Sequence, residues 1–148
     1  RYHNVYGPRM GFKHVIPQVI NRFLSAESPF TIYGAKQTRS FNFIDDAVKG
    51  TILAMNTEGV SNEIFHIGDE TAEISIETLV QFIGKLLGYE GDFLDGPNHP
   101  GSVYRRCPNT EKAKRLLKYT PTINWKDGVK LTTEWYKQYL LSEGEVYE

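Results

Sequence analysis

The residues of this chain best equipped for chemistry are arginines in two short polar runs, Gln37-Thr38-Arg39-Ser40 and Tyr104-Arg105-Arg106-Cys107. A guanidinium presents its N–H groups as a planar fork, which engages a carboxylate or phosphate through two parallel hydrogen bonds. Taken alone, such arginines read as solvated surface groups. Asp45 and Asp46 are adjacent acids, but they stand just ahead of a helical apolar pattern, where a carboxylate caps backbone N–H groups. His3, His14, His66 and His99 share no metal-ligand spacing, so no metal site is expected. Cys107 stands alone, with no neighbouring sign of nucleophilic activation.

What must position these side chains is an alternation of short strands and amphipathic helices. Tyr2 to Tyr6 reads as a strand running into the Gly7-Pro8 turn. Pro17 sits where a helix can begin, followed by Val19, Ile20, Phe23 and Leu24 at helical spacing. Phe30 to Tyr33 and Phe41 to Ile44 read as strands, and Asp45-Asp46 as the cap of a helix carrying Val48, Ile52, Leu53 and Met55. Glu63 to Ile67 is a further strand candidate, and Ser75 caps an amphipathic helix through Leu79, Val80, Ile83 and Leu86, stopped by Gly88. Gly91 to Gly101 has the Gly, Pro, Asp and Asn content of a surface loop. Asn109 opens a short helix, and a last one runs from about Lys126 through Trp135 and Leu140. The class is α/β, or α+β for the piece in isolation.

The bulk numbers narrow the function. At 148 residues and 40% apolar, the chain has the size of one ordinary domain. A net charge of -1 argues against a basic nucleic-acid surface, though a local cluster of arginines can still hold an anion. The single cysteine excludes an intrachain disulfide and fits a reducing, cytoplasmic setting. No run approaches the roughly 18 apolar residues that cross a membrane, so no membrane partner is expected. A start at Arg1 rather than Met reads as a cut or partial end.

Seven landmarks along the chain, in order, are R-Y-H-N-V-Y-G-P (Arg1 to Pro8), V-I-P (Val15 to Pro17), T-I-Y-G (Thr31 to Gly34), Q-T-R-S-F-N-F-I-D-D (Gln37 to Asp46), E-I-F-H-I-G (Glu63 to Gly68), R-R-C-P-N-T-E-K-A (Arg105 to Ala113) and E-W-Y (Glu134 to Tyr136). With these, the chain resembles the NAD-dependent epimerase/dehydratase family, the extended short-chain dehydrogenases that act on nucleotide-sugars. The resemblance implies that residues 1–148 form one C-terminal, substrate-binding domain, with the NAD-binding Rossmann half outside this chain. That half carries the family's G-x-x-G-x-x-G turn, which holds the NAD pyrophosphate at a helix N-terminus, and its catalytic Tyr-x-x-x-Lys pair. Neither is found here, and Tyr33 and Lys36 are spaced one residue short. No catalytic or cofactor-binding residue is therefore expected in this chain, and the piece alone is expected to be inactive.

For substrate binding the resemblance implies definite roles. Arg39 would contact the nucleoside diphosphate, with Arg106, and less clearly Arg105, supplying a second contact. Tyr33 would stack on the base and Asn4 would reach the sugar–diphosphate link. His14, where some relatives place a Lys, would help neutralise phosphate. Epimerase relatives often carry an Arg roughly where His99 stands, a departure that bears on the second phosphate contact. The expected partner is a UDP-, dTDP- or GDP-sugar, and the parent enzyme would use NAD. A UDP-sugar 4-epimerase is the first reading, and a dehydratase or UDP-glucuronate decarboxylase-like enzyme the alternative. A non-catalytic nucleotide-sugar-binding module is a third. Relatives are frequently dimers, so a homodimer is also expected.

Overall fold

The computed structural model describes residues 1–143. In chain order the elements are β1 (Val5–Tyr6), α1 (Val15–Leu24), β2 (Phe30–Tyr33), β3 (Thr38–Ser40), β4 (Asn42–Phe43), α2 (Ile44–Asn56), β5 (Glu73–Ser75), α3 (Ile76–Leu86), β6 (Phe93–Gly96), β7 (Arg105–Arg106), α4 (Glu111–Leu117) and α5 (Trp125–Glu143). The strands pair as three small sheets among the described residues. β1 runs parallel to β4, β2 parallel to β6, and β3 lies between antiparallel β5 and parallel β7. The class is mixed α/β.

Two apolar clusters hold these pieces together. In the larger, α1 buries Ile16, Val19, Ile20 and Phe23 along one helical stripe against Leu79, Val80 and Ile83 of α3 and Val129 and Tyr136 of α5. Phe23 stacks on Phe30 of β2 at 3.9 Å between ring centroids, and Phe93 of β6 and Tyr89 close the same aromatic group. The smaller cluster joins α2 to α4 through Ala47, Phe65, Ile67, Ala113, Leu117 and Tyr119. A buried carboxylate connects the two regions: Asp46, in the first turn of α2, accepts from Thr122 N and Oγ1 and from Ile123 N just before α5.

Several expected boundaries move, each for a visible reason. The strand read over Tyr2 to Tyr6 shrinks to β1, because Asn4 turns into the left-handed region at φ +39° and breaks the extended run. Glu63 to Ile67 forms no strand. Its only ladder contact among the described residues is a bridge from Ile67 to Tyr2, while Glu63 N turns back to Val60 O. Phe93 to Gly96, read as loop, pairs residue for residue with β2 and puts the Phe93 ring into the aromatic group. The strand read over Phe41 to Ile44 is β4 alone, and α2 begins at Ile44 with Phe43 at its N-cap. Asp45 and Asp46 thus occupy its first turn, favourable to the helix dipole, rather than capping it. α1 starts at Val15, ahead of Pro17. Ser75 caps α3 as expected, its Oγ accepting from Thr78 N at 3.0 Å.

Candidate nucleotide-sugar site

A pocket of about 630 Å³ opens where β1, β2, β3 and β7 meet the N-terminal end of α1. Its floor is apolar, made by Val5, Val19, Ile32, Phe41, Ile76 and Val80. Its walls carry Lys13, Arg22, Arg39 and Arg106, and no Asp or Glu is among the lining residues. A chain of net charge -1 has thus gathered positive charge in one concavity.

The sheet explains how two arginines far apart in sequence come together. Arg39 and Arg106 are register partners on the parallel strands β3 and β7, so their side chains share a face. Arg39 Nη1 donates to Thr38 O at 2.7 Å and Tyr104 O at 3.3 Å, and Nη2 to Gln37 Oε1 and Ser102 Oγ, both at 3.0 Å. Burial, and secondarily the Arg106 charge, lowers Arg39 from its ordinary value. Two cations facing each other in a partly desolvated pocket repel, and an anion placed between them relieves that repulsion. The Arg106 side chain makes no hydrogen bond or ion pair among the described residues, so its guanidinium is free to take a ligand.

The remaining site candidates divide. Asn4, His14, Tyr33, Arg39 and Arg106 all line the pocket; Arg105 does not. Its side chain leaves the opposite face of β7 and forms a two-bond pair with Glu73, Nε to Oε1 at 2.9 Å and Nη2 to Oε2 at 2.7 Å. Tyr33 is 43% exposed at the rim rather than packed in the core. Its ring lies 5.4 Å from that of His99, with the Arg22 guanidinium 5.5 Å away. Arg22 is itself neutralised by Glu27. Asn4 Nδ2 donates to Ser40 O at 2.8 Å, which fixes the amide and leaves Oδ1 as an acceptor. His14 is the N-cap of α1 and uses no side-chain cap bond, and the first turn of α1 contains no acid. That helix end therefore adds its own partial positive charge to the pocket.

Gln37, Ser102, Lys13 and Gln18 are pocket residues that the sequence reading does not single out. Gln37 had a usable signal: it stands two residues before Arg39, the spacing that puts side chains on one face of an extended segment. Ser102 had none, because it arrives from a distant loop. Beside the pocket, His3 Nε2 meets His66 Nδ1 at 2.5 Å. Burial, then the Glu73 carboxylate, raises the Cys107 thiol, which opposes thiolate formation. Among the described residues no three His, Cys, Asp or Glu side chains cluster to hold a metal, and no helix is long and apolar enough to cross a membrane.

The NAD dependent epimerase/dehydratase family matches residues 1–68. The relatives extend the likeness over nearly the whole chain. UDP-N-acetyl-alpha-D-glucosaminuronate decarboxylase of Bacillus cytotoxicus is 33% identical over 93% of the chain. UDP-glucuronate 4-epimerase of Thermodesulfobacterium geofontis is 32% identical, also over 93%. The chain is thus similar to members of this family over 93% of its length. Among solved structures, the UDP-glucuronic acid 4-epimerase of Bacillus cereus, in complex with UDP-glucuronic acid and NAD, superposes with a TM-score of 0.86 at 31% identity over 94% of the chain. The UDP-glucose 4-epimerase of Thermotoga maritima, solved with UDP-glucose, gives 0.85 at 30% identity over 95%. The chain spans less than half of these family members: 45% and 42% of the two curated relatives, and 44% and 45% of the two structures.

Proposed function

We propose that the pocket anchors the nucleoside diphosphate of a UDP-sugar, and that residues 1–148 are the substrate-binding domain of an NAD-dependent UDP-sugar 4-epimerase-like enzyme. The observation that carries this reading is the pocket wall: Lys13, Arg39 and Arg106 beside the Glu27-paired Arg22, no carboxylate in the lining, an aromatic ring at the rim and an apolar floor. Arg39 and Arg106 would hold the diphosphate, with Lys13 and the first turn of α1 adding positive charge and His14 within reach of the phosphate. Tyr33 would stack on uracil, an interaction worth about 1–3 kcal/mol per base. Asn4 Oδ1 would accept from a sugar hydroxyl. Arg105 is left out, because Glu73 already satisfies it.

UDP is preferred over dTDP or GDP because the relatives at 30% identity or more carry UDP-sugars in their names. A UDP-sugar decarboxylase is the second reading, favoured by the 33% identical Bacillus cytotoxicus decarboxylase. Either enzyme needs the same anchor. A bound diphosphate is remote from the reacting carbon, and its binding energy serves to hold the sugar in register for chemistry. NAD would supply transient oxidation of a sugar hydroxyl in the parent enzyme. The chain's sequence contains no G-x-x-G-x-x-G turn to fit its pyrophosphate, and the pocket's cations fit the substrate instead. We further propose a homodimeric, cytoplasmic parent.

Calorimetric titration of the chain with UDP tests the assignment. A hydrogen bond to a charged group contributes about 1.5–3 kcal/mol. Arg39→Ala and Arg106→Ala should each therefore weaken UDP by about tenfold or more. Arg105→Ala should stay within about twofold of wild type, and uridine should lose little in any variant. Unchanged UDP affinity in both Arg39→Ala and Arg106→Ala would rule the anchor out.

A further inference from the structure

We infer that Gln37 is a positioning residue that aims Arg39, and that Ser102 is the part of the arginine's environment that yields to the ligand. The inference rests on the anchor reading above. Each Nη nitrogen of Arg39 has two acceptors, one from its own strand region and one from the distant segment. Nη1 is shared by Thr38 O at 2.7 Å and Tyr104 O at 3.3 Å, and Nη2 by Gln37 Oε1 and Ser102 Oγ at 3.0 Å each. Both Nη nitrogens thereby carry two acceptors each, while the Nε–H carries none among the described residues. A phosphate taking the fork formed by Nε and Nη2 has to replace one of the Nη2 acceptors.

The surroundings decide which acceptors stay. Gln37 is buried, with 6% of its surface exposed, and its backbone is pinned at both ends, N to Gly34 O and O from Ile76 N. Its side chain packs under Gly34, where an added Cβ would lie 3.0 Å from Gln37 Cδ. The guanidinium can only donate, so Oε1 must face Arg39 and the amide cannot be flipped. Ser102, by contrast, is exposed in the segment between β6 and β7, and donates from its Oγ to the same Gln37 Oε1 at 2.8 Å. Tyr104 O makes the longest of the four bonds, but it also accepts from Thr38 N at 2.9 Å and is fixed to β3. Gln37 Oε1 and the two backbone carbonyls therefore orient the fork, and Ser102 Oγ fills it until an anion arrives.

This arrangement gives the two side chains opposite signs in one experiment. Gln37→Met keeps the volume but removes the acceptor, and should weaken UDP by about tenfold. Ser102→Ala frees an Nη2 hydrogen and should leave UDP affinity unchanged or tighter. In the Arg39→Ala background, Gln37→Met should change UDP affinity by less than about twofold, because a residue that acts through another shows its effect only when that other is present. Uridine, which lacks phosphate, should bind both variants like wild type. A Gln37→Met chain that binds UDP as wild type does, or that loses as much in the Arg39→Ala background, overturns the inference and leaves the anchor standing. A marked loss in Ser102→Ala also overturns it, and this surface variant is informative even if Gln37→Met does not fold. Should Arg39→Ala itself be silent, the anchor fails and the inference with it.

Discussion

Gly128 is a position where two opposing effects of known size can be weighed from the structure. It lies in the first turns of α5, its N–H bonded to Asn124 O at 3.0 Å. On an exposed helix, Gly→Ala gains up to about 1 kcal/mol, because glycine loses the most backbone entropy on folding. Here an added Cβ would run into Tyr6 Oη, and would stand 2.9 Å from Phe43 Cδ2 and 3.0 Å from Tyr6 Cζ. Tyr6 cannot swing aside. It is 2% exposed, edge-on to the rings of Phe41 and Phe43, and its hydroxyl donates to Trp125 O at 3.0 Å. Overpacking of this kind costs about 1–3 kcal/mol, and losing the Tyr6 hydrogen bond about 1 kcal/mol more. The crowding wins, so Gly128→Ala should destabilise the chain by about 1–3 kcal/mol. Urea unfolding followed by the fluorescence of Trp125 and Trp135 measures it. In a Tyr6→Phe background the clashing hydroxyl is gone, and the penalty of Gly128→Ala should shrink by about 1 kcal/mol. A Gly128→Ala chain more stable than wild type would refute the reasoning, and an equal penalty in both backgrounds would show that Tyr6 is not what the methyl group meets.

Two other perturbations test separate parts of the frame. Asp46→Ala strands three donors, Thr122 N, Thr122 Oγ1 and Ile123 N. Water can reach exposed Thr122, so the loss in urea unfolding should be about 2 kcal/mol, with Asp46→Asn milder; a change within about 0.5 kcal/mol would remove Asp46 from its bridging role. His3 is lowered from the ordinary value of 6.5, first by burial, then by His66, the terminal amino group and Arg106. The folded chain thus binds this proton less readily than the unfolded one. The associated stability is complete above pH 6.5 and is lost as pH falls through the lowered folded value. His3→Gln should flatten the dependence of Tm on pH between about 7 and 5, and an unaltered slope would show that His3 protonation is not coupled to folding.

The helices of this chain are legible in its sequence, and most of its strands are not, for a physical reason. A stripe such as Ile16, Val19, Ile20 and Phe23 repeats over several turns, so its period declares itself. β1, β4 and β7 have two residues each, too few for any alternation to be seen. β6 hides behind turn-forming residues, because only its partner β2 makes Phe93 to Gly96 a strand. The same limit governs the site. Arg105 and Arg106 are adjacent, and neighbours on a strand must face opposite ways, but sequence does not say which face is the pocket. That choice is made by register: Arg106 falls opposite Arg39, while Arg105 falls opposite Thr38 and meets Glu73 from β5 on the other side. A single-residue slip of β7 would exchange the two, bringing Arg105 to Arg39 and Arg106 to the face of Glu73. The Arg105–Glu73 pair is exposed and adds little stability, so its consequence is positional. By holding one arginine on the outer face, it keeps the other in the pocket.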